Sequence, residues 1–156
     1  MPGLEDLYRE IILDHYRNPR NRGELDAPPA LRVEGFNPLC GDEIVVYLEL
    51  GEDDRISDIR IAGQGCSISQ SSASMMSAAV KGRTIAEVGD LTRAFKGMMS
   101  IHESSLGGDT IEPEELPDVK LGDLEALRGV VKFPVRIKCA TLAWNTLAQA
   151  IDEARP

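Results

Sequence analysis

The chain has few of the residues that many catalytic sites, export signals and membrane spans need. Its 156 residues include only two histidines, which leaves few candidates for histidine-driven acid–base catalysis. Aromatic residues are also scarce, at 4%. No apolar run approaches the roughly 18 residues of a membrane span, and residues 1–6 lack the basic and apolar regions of a signal peptide. We therefore expect a cytoplasmic protein without a membrane partner. The length and the 42% hydrophobic content predict one globular domain over residues 1–156.

The charge is strongly acidic, with a formal net charge of −9 and a pI near 4.7. Nucleic-acid affinity depends largely on lysine and arginine neutralising phosphates, so nucleic acid is not expected as a partner. Basic residues still form two local clusters, Arg17, Arg20 and Arg22, and Lys132, Arg136 and Lys138. Both clusters are typical of a solvated surface. The second surrounds Cys139, which strengthens the alternative that its charges have a functional role.

Cysteine is scarce as well, and the three cysteines do not form a disulfide framework. Their odd number, wide spacing and lack of an export signal predict reduced thiols. No C-x-x-C pair is present, so a zinc ribbon is not expected. Any metal site must be assembled from distant segments of the chain.

Each cysteine lies in a distinctive local sequence. Cys40 is in NPLCGD (37–42), Cys66 is in GQGCS (63–67), and Cys139 is in VRIKCA (135–140). If the fold brings them together, three thiolates and the Asp42 carboxylate make a four-ligand site of the kind that zinc or iron prefers. The alternative for each cysteine is a small buried hydrophobic side chain, and for Asp42 an ordinary turn residue. We expect the turn at Gly41 to project Cys40 and Asp42 outward.

The first half of the chain shows a helical pattern followed by an alternating one. Apolar residues at helical spacing predict an amphipathic first helix that ends before Asn18-Pro19. His15, near its end, is expected to be a packed or capping side chain and not a ligand. From Leu31 the apolar residues alternate, and the turn at 51–54 predicts a hairpin between a strand to Leu50 and a strand over 55–62. Ile56 is out of phase with Ile59 and Ile61, which predicts a bulge or a late start of that strand.

The second half is predominantly helical. Cys66 directly precedes a predicted helix over 67–81, where the positive end of the helix dipole would stabilise a thiolate. The Thr84 to Glu87 segment predicts a capping box, residues 121–127 a short helix, and Pro134 the first turn of a last helix that carries Cys139 in its first two turns. The polar, acidic residues 102–120 predict a surface insertion. The methionines are expected in the core: Met75, Met76, Met98 and Met99.

Four ordered motifs carry a resemblance to a known family. They are ILDHYRNPRN (12–21), NPLCGD, GQGCSIS and VRIKCATLAW. The chain resembles the IscU/NifU/SufU family of iron–sulfur cluster assembly proteins. The resemblance implies an α+β domain in which a small antiparallel sheet of about three strands is packed by helices, with the three cysteines at one end. It also implies that four residues match the family's metal or cluster ligands: Cys40, Asp42, Cys66 and Cys139.

The residue before the last cysteine distinguishes branches of this family. The branch that serves purely as a scaffold typically has histidine there, whereas this chain has Lys138. Lys138 and the insertion are similar to the SufU branch. That likeness implies bound zinc and a SufS-type cysteine desulfurase as sulfur donor, with Cys40 receiving persulfide sulfur for downstream cluster assembly proteins. Arg136 and Lys138 are then auxiliary residues that could steady thiolate or persulfide charge.

Two other functions stay open at this point. The same four ligands suit iron, so the chain could be a scaffold on which a labile iron–sulfur cluster is assembled and transferred. A closed four-ligand zinc site could also be structural, in an adaptor that binds partners through its acidic surface. A hydrolytic zinc enzyme is less favoured, because no spare histidine or glutamate near a motif offers a base. The sequence does not decide whether the protein is an enzyme, but it favours a sulfurtransferase-like sulfur carrier over a stand-alone metabolic enzyme.

Overall fold

A computed structural model describes residues 4–26, 30–38, 41–107 and 121–154. In these residues one antiparallel sheet is packed by helices, which confirms the α+β expectation. In chain order the elements are α1 (Leu4–Arg17), β1 (Leu31–Asn37), β2 (Asp42–Leu50), β3 (Ile56–Gln64), α2 (Ser67–Val80), α3 (Ile85–Gly107), a 3₁₀ segment (Gly122–Lys132) and α4 (Pro134–Ala154).

The sheet has the order β1-β2-β3, with β2 in the centre. Side chains at alternate positions of β2 face the helices, because successive residues of a strand point to opposite faces. Ile44, Val46 and Leu48 are almost fully buried on that inner face. At one end of the β1–β2 pair, Asn37 is the direct partner of Asp42. Asp42 is in phase with Ile44, so this end of the sheet points a carboxylate at the helix layer.

The predicted hairpin between β2 and β3 is present and includes the predicted bulge. Leu50 pairs with Ile56 but Glu49 pairs with Asp58, so Ser57 is the extra residue on β3. The bulge restores the phase of the strand and lets Ile56 and Ile59 both face the core, where each is fully buried. The chain turns between the strands through the short 3₁₀ turn Glu52–Asp54.

Helix α4 lies across β1 and β2, and α2 packs against both α4 and β3. The contact between β1 and α4 is close at Gly35, where an added Cβ would collide with the side chain of Thr146. This close approach brings the first turns of α4 to the end of the sheet where Asn37 and Asp42 lie. Helix α1 packs against α2 and also contacts the 3₁₀ segment.

The core lies between the inner face of the sheet and these helices. The four methionines at 75, 76, 98 and 99 are buried there, as predicted. Trp144 is fully buried and stacks on Phe95 with ring centroids 4.8 Å apart. Since Trp144 is the chain's single tryptophan, its fluorescence reports on the core.

Two local predictions for the helices are also confirmed. The first helix ends at Arg17, and Pro134 is the first residue of α4. The segment predicted as a short helix over 121–127 is a longer 3₁₀ segment, Gly122–Lys132. Of the predicted insertion, residues 102–107 continue α3 and residues 108–120 lie outside the described residues, so its surface location stays a prediction. No helix in the described part of the chain is long and apolar enough to span a membrane.

Candidate metal centre

Three of the four predicted ligands converge at one end of the sheet. A carboxylate oxygen of Asp42 and the sulfurs of Cys66 and Cys139 all lie within 4.8 Å of one another. The three residues come from three different elements: the start of β2, the residue before α2, and the second turn of α4. The fold therefore assembles this donor set from distant segments, as the spacing of the cysteines predicts.

Asp42 does not project outward from a turn, and that expectation is wrong. It is the first residue of β2, is fully buried, and lies on the inner face of the sheet. The turn ends one residue earlier, at Gly41, whose φ of 68° is in the left-handed region. The alternation of Ile44, Val46 and Leu48 already placed position 42 on the buried face, and this signal outweighs the turn composition.

Cys66 is the N-cap of α2 and lies partly exposed at its start. Its sulfur accepts a hydrogen bond from the backbone N–H of Ser69 at 3.5 Å, and its own N–H donates to Asp42 Oδ1 at 2.9 Å. The free N–H groups of a helix start favour a negative group, so this position suits a thiolate. The Cys66 sulfur is 3.9 Å from the other oxygen of Asp42.

Cys139 approaches the same point from α4 and is fully buried. Its sulfur accepts a hydrogen bond from the side-chain amide of Asn37, with 3.8 Å between nitrogen and sulfur. Asn37 is itself buried and is the cross-strand partner of Asp42. Asn37 and Asp42 thus reach Cys139 from neighbouring strands.

The Asp42 carboxyl is held in its ionised form despite its burial. Burial raises its pKa, but hydrogen bonds to the carboxylate outweigh that effect and hold the pKa below the ordinary value of 3.8. The donors are the backbone N–H of Cys66 and the side chains of Cys139, Ser69 and Cys66. An ionised carboxylate that points inward beside two thiols forms a candidate cation-binding site.

The donor chemistry fits zinc. Zinc binds sulfur at about 2.3 Å and carboxylate oxygen at about 2.0 Å, which puts tetrahedral ligand atoms about 3.5–3.8 Å apart. The 3.9 Å between the Cys66 sulfur and the Asp42 oxygen is close to that value. The widest separation among the donors, up to 4.8 Å, requires a closure of about 1 Å around an ion. Iron also accepts thiolate and carboxylate ligands, so the geometry does not choose between the two metals.

The other predicted site residues, Cys40, Arg136 and Lys138, are not among the three converging donors. Cys40 lies outside the described residues, so its role stays a prediction. Arg136 is exposed and, with Cys66, lines a cavity of about 890 Å³ between α1, the start of α2, the 3₁₀ segment and α4. Arg9 lies on the same cavity wall. Lys138 is exposed on α4, one residue before Cys139.

His15 is a packed side chain, as predicted. It is 2% exposed, with Nδ1 2.8 Å from Ser74 Oγ and Nε2 2.9 Å from Asp123 Oδ2. Ser74 Oγ also accepts the backbone N–H of Arg20. These contacts join α1 and the segment after it to α2 and the 3₁₀ segment. The first of the four motifs therefore contributes packing.

Sequence reasoning missed three residues around the donors: Asn37, Gly65 and Ser69. For Ser69 a signal existed, because the N–H three residues after an N-cap side chain is its usual hydrogen-bond donor. For Gly65 the sequence shows only a glycine-rich exit from β3. Asn37 is in the NPLCGD motif, but its contact with Cys139 spans 102 residues and depends on the strand register. No local pattern could indicate it.

The fold and the donor set define a small α+β protein with a sulfur-rich candidate metal centre. The family model described as "NifU-like N terminal domain" matches residues 7–140. The chain therefore belongs to the NifU-like N-terminal domain family, which confirms the resemblance to IscU, NifU and SufU proteins drawn from its motifs.

Similar proteins carry two different functional names. The zinc-dependent sulfurtransferase SufU of Bacillus subtilis is 44% identical over 95% of this chain and 91% of its own length. The iron–sulfur cluster assembly scaffold protein IscU of Streptococcus pyogenes is 42% identical over 97% of this chain and 86% of its own. A crystal structure from Fervidobacterium islandicum, described as a candidate iron–sulfur cluster assembly scaffold for the SUF system, superposes with a TM-score of 0.75. It is 29% identical, and the match covers 96% of this chain and 99% of the other.

Proposed function

We propose that the chain is a zinc-dependent sulfurtransferase in iron–sulfur cluster assembly. It accepts persulfide sulfur from a SufS-type cysteine desulfurase and relays it to downstream cluster assembly proteins. One observation carries the proposal: two thiols and a buried carboxylate from three elements meet within 4.8 Å. The 44% identity to a protein named as a zinc-dependent sulfurtransferase supports zinc as the ion and sulfur transfer as the activity.

In this proposal Asp42, Cys66 and Cys139 hold the zinc together with Cys40. When bound, zinc displaces the thiol protons near neutral pH and keeps the sulfurs as protected thiolates. Cys139, which is fully buried, and Cys66, which caps α2, anchor the ion. Asp42 supplies an oxygen that the hydrogen bonds from Cys66 and Ser69 keep ionised and oriented.

Cys40 is the sulfur acceptor. Its thiolate attacks the outer sulfur of the donor's cysteine persulfide, a new sulfur–sulfur bond forms on Cys40, and the sulfur–sulfur bond of the donor breaks. The donor cysteine leaves as a thiolate and takes up a proton. The step exchanges one sulfur–sulfur bond for another, so it consumes no oxidant or reductant.

Cationic groups near the thiols favour the charged species of this reaction. Arg136 lines the cavity that Cys66 also lines, and Lys138 is the exposed neighbour of Cys139. Both could stabilise a thiolate or a persulfide anion by charge. The cavity beside Cys66 leaves room for a donor group to approach that end of the molecule.

The Cys40→Ala variant tests the assignment of the acceptor. We expect it to keep its fold, judged by Trp144 fluorescence, but to take no sulfur from a cysteine desulfurase supplied with cysteine. Peptide mass spectrometry locates the persulfide and metal analysis counts the zinc. The matched comparison is Cys139→Ala, which removes a buried anchor and should lower zinc occupancy. Normal persulfide formation in Cys40→Ala would overturn the assignment of Cys40 as the acceptor, and unfolding of that variant would indicate a structural zinc adaptor instead.

The second candidate function is a scaffold for a labile iron–sulfur cluster. The 42% identity to a protein named as an IscU scaffold supports it, and the same donor set accepts iron. Anaerobic reconstitution with iron and sulfide, followed by transfer to an apo-ferredoxin, distinguishes the two functions. A cluster that forms with zinc already bound and passes to the acceptor favours the scaffold. A cluster that forms only after zinc is removed, and is not passed on, favours the sulfurtransferase.

A further inference from the structure

The end of the β1–β2 pair presents two opposite hydrogen-bonding groups to one sulfur. Asn37 and Asp42 are direct cross-strand partners, and both are buried, at 6% and 0% exposure. The Asn37 amide donates to the Cys139 sulfur, whereas the Asp42 carboxylate accepts a hydrogen bond from the Cys139 thiol. One strand thus offers Cys139 a donor and the next strand offers it an acceptor.

Of these two groups, the Asn37 amide is the one whose contact suits a sulfur that would serve as a metal ligand, since it is a buried donor 3.8 Å from the Cys139 sulfur. The amide of Asn37 has protons to donate, and a thiolate is a better acceptor than a thiol. Burying an amide costs free energy unless the amide is hydrogen-bonded. The buried Asn37 amide therefore needs a hydrogen-bond partner such as the Cys139 sulfur.

We propose that Asn37 is a positioning residue of the metal centre, whose amide holds Cys139 as the anchoring thiolate and keeps it from accepting sulfur. Groups that hydrogen-bond to metal ligands orient them and tune the metal. An N–H donor also withdraws electron density from a thiolate, so it weakens Cys139 as a nucleophile towards a persulfide. The inference deepens the proposed function, since it concerns the same metal site.

The sulfur of Cys66 also accepts a hydrogen bond from an N–H group, so both candidate cysteine ligands share this feature. The backbone N–H of Ser69 reaches the Cys66 sulfur at 3.5 Å, so each of the two cysteines among the three converging donors accepts an N–H···S hydrogen bond. The donor to Cys66 is part of the helix start and cannot be removed by changing a side chain. The donor to Cys139 is a side chain, so mutation can test it.

Two substitutions at Asn37 separate the hydrogen bond from the shape. Asn37→Leu has a similar outline without a donor, and Asn37→Asp keeps the outline but replaces the donor with an acceptor. Thr146→Val is the matched control, because Thr146 is also a buried polar residue of the contact between β1 and α4. Thr146 lies about 10 Å further along α4 than Cys139, because an α-helix rises about 1.5 Å per residue.

The first readout is the metal site itself and does not require sulfur transfer. With cobalt in place of zinc, we expect the sulfur-to-cobalt charge-transfer band to move to longer wavelength in Asn37→Leu, because the thiolate electrons are no longer stabilised. Metal affinity should fall about 10–100-fold in both Asn37 variants. Thr146→Val should keep the band position and the affinity. An unchanged band with affinity within about twofold of wild type in Asn37→Leu would overturn the proposal.

A measurement on the unmutated protein covers the case in which the variants do not fold. With NMR-active cadmium at the site, the side-chain amide protons of Asn37 should show scalar coupling to the metal through the sulfur of Cys139. A well-resolved Asn37 amide without that coupling would contradict the hydrogen bond.

The second readout is the location of transferred sulfur. Wild type exposed to desulfurase and cysteine should carry no persulfide on the Cys139 peptide, whereas Asn37→Leu should carry it there as well as on Cys40. If wild type accepts no sulfur on any cysteine, the proposed function fails while the cobalt band still tests Asn37. If Cys40 accepts sulfur but Asn37→Leu behaves as wild type in both readouts, only the inference about Asn37 fails.

Discussion

At the scale of single residues, the candidate metal centre depends on a position that has no side chain. Gly65 links the end of β3 to Cys66, and a Cβ there would lie 2.5 Å from both Asp42 Oδ1 and Ser69 Oγ. Both atoms belong to the hydrogen-bond network that holds the Asp42 carboxylate ionised. Glycine is required here for space, so that the carboxylate can reach the start of α2.

We predict that Gly65→Ala weakens zinc binding by about 10-fold or more, because the added methyl group displaces the carboxylate or the hydroxyl that orients it. Competition with a chromophoric chelator measures the affinity. Gly89→Ala on α3 is the control, since a Cβ at Gly89 meets nothing within 4 Å. Equal zinc affinity in Gly65→Ala and wild type would contradict the requirement for glycine at this position.

At the scale of the elements, the start of α3 is fixed by a capping box. The Thr84 N–H donates to Glu87 Oε1 and the Glu87 N–H donates to Thr84 Oγ1, each at 3.1 Å. The hydrogen bond from the Thr84 backbone, then that from its hydroxyl, lowers the pKa of Glu87 below the ordinary 4.5. The two residues satisfy N–H groups that the helix itself leaves free.

The lowered pKa predicts how this helix start responds to acid. A carboxyl whose pKa is depressed by folding contributes stability above its unfolded pKa, near 4.5, and loses that contribution as the pH falls through the folded value. An NMR titration of the Glu87 carboxyl should therefore give a midpoint below 4.5 in wild type. In Thr84→Ala the midpoint should rise towards 4.5, with a loss of about 1 kcal/mol in the free energy of unfolding. A wild-type midpoint at or above 4.5 would be inconsistent with the capping box.

At the scale of the whole molecule, the metal centre and the hydrophobic core are neighbours but separate. The candidate ligands tie β2, the start of α2 and α4 together at one end of the sheet. The core continues away from that end, through the sheet face and the stacked Phe95 and Trp144. A bound ion should therefore stabilise a fold that can form without it.

Removal of zinc tests that separation. An ion present at about 100 times its dissociation constant adds about 2.7 kcal/mol to the free energy of unfolding. For a domain of this size its loss should lower Tm by about 5–10 °C. We expect the chelated protein to keep its helical circular dichroism and the fluorescence of buried Trp144 at 25 °C. Unfolding on chelation at that temperature would instead indicate that the ion is needed for the fold.

Much of the fold could be predicted from local patterns. The ends of α1, the hairpin with its bulge at Ser57, and the capping box at Thr84 each follow from neighbours within a few residues, and each is confirmed. The prediction for Asp42 was wrong because it followed turn composition and ignored the phase of β2.

The site could be predicted only in part. The motifs identify Cys66, Cys139 and Asp42 as candidates, and the fold brings these three together. Asn37 was not predictable, because its contact with Cys139 depends on how β1 pairs with β2 and where α4 crosses them. Such contacts follow from tertiary packing, which a single sequence does not display.

We propose that one zinc ion is held by the thiolates of Cys40, Cys66 and Cys139 and the carboxylate of Asp42. X-ray absorption at the zinc edge of the protein as purified tests it most directly, because it counts the ligand types. The expected result is one zinc per chain with three sulfurs at about 2.3 Å and one oxygen at about 2.0 Å. Cys40→Ala should lose one of the three sulfurs. A shell of only nitrogen and oxygen, or a purified protein without zinc, would contradict the claim.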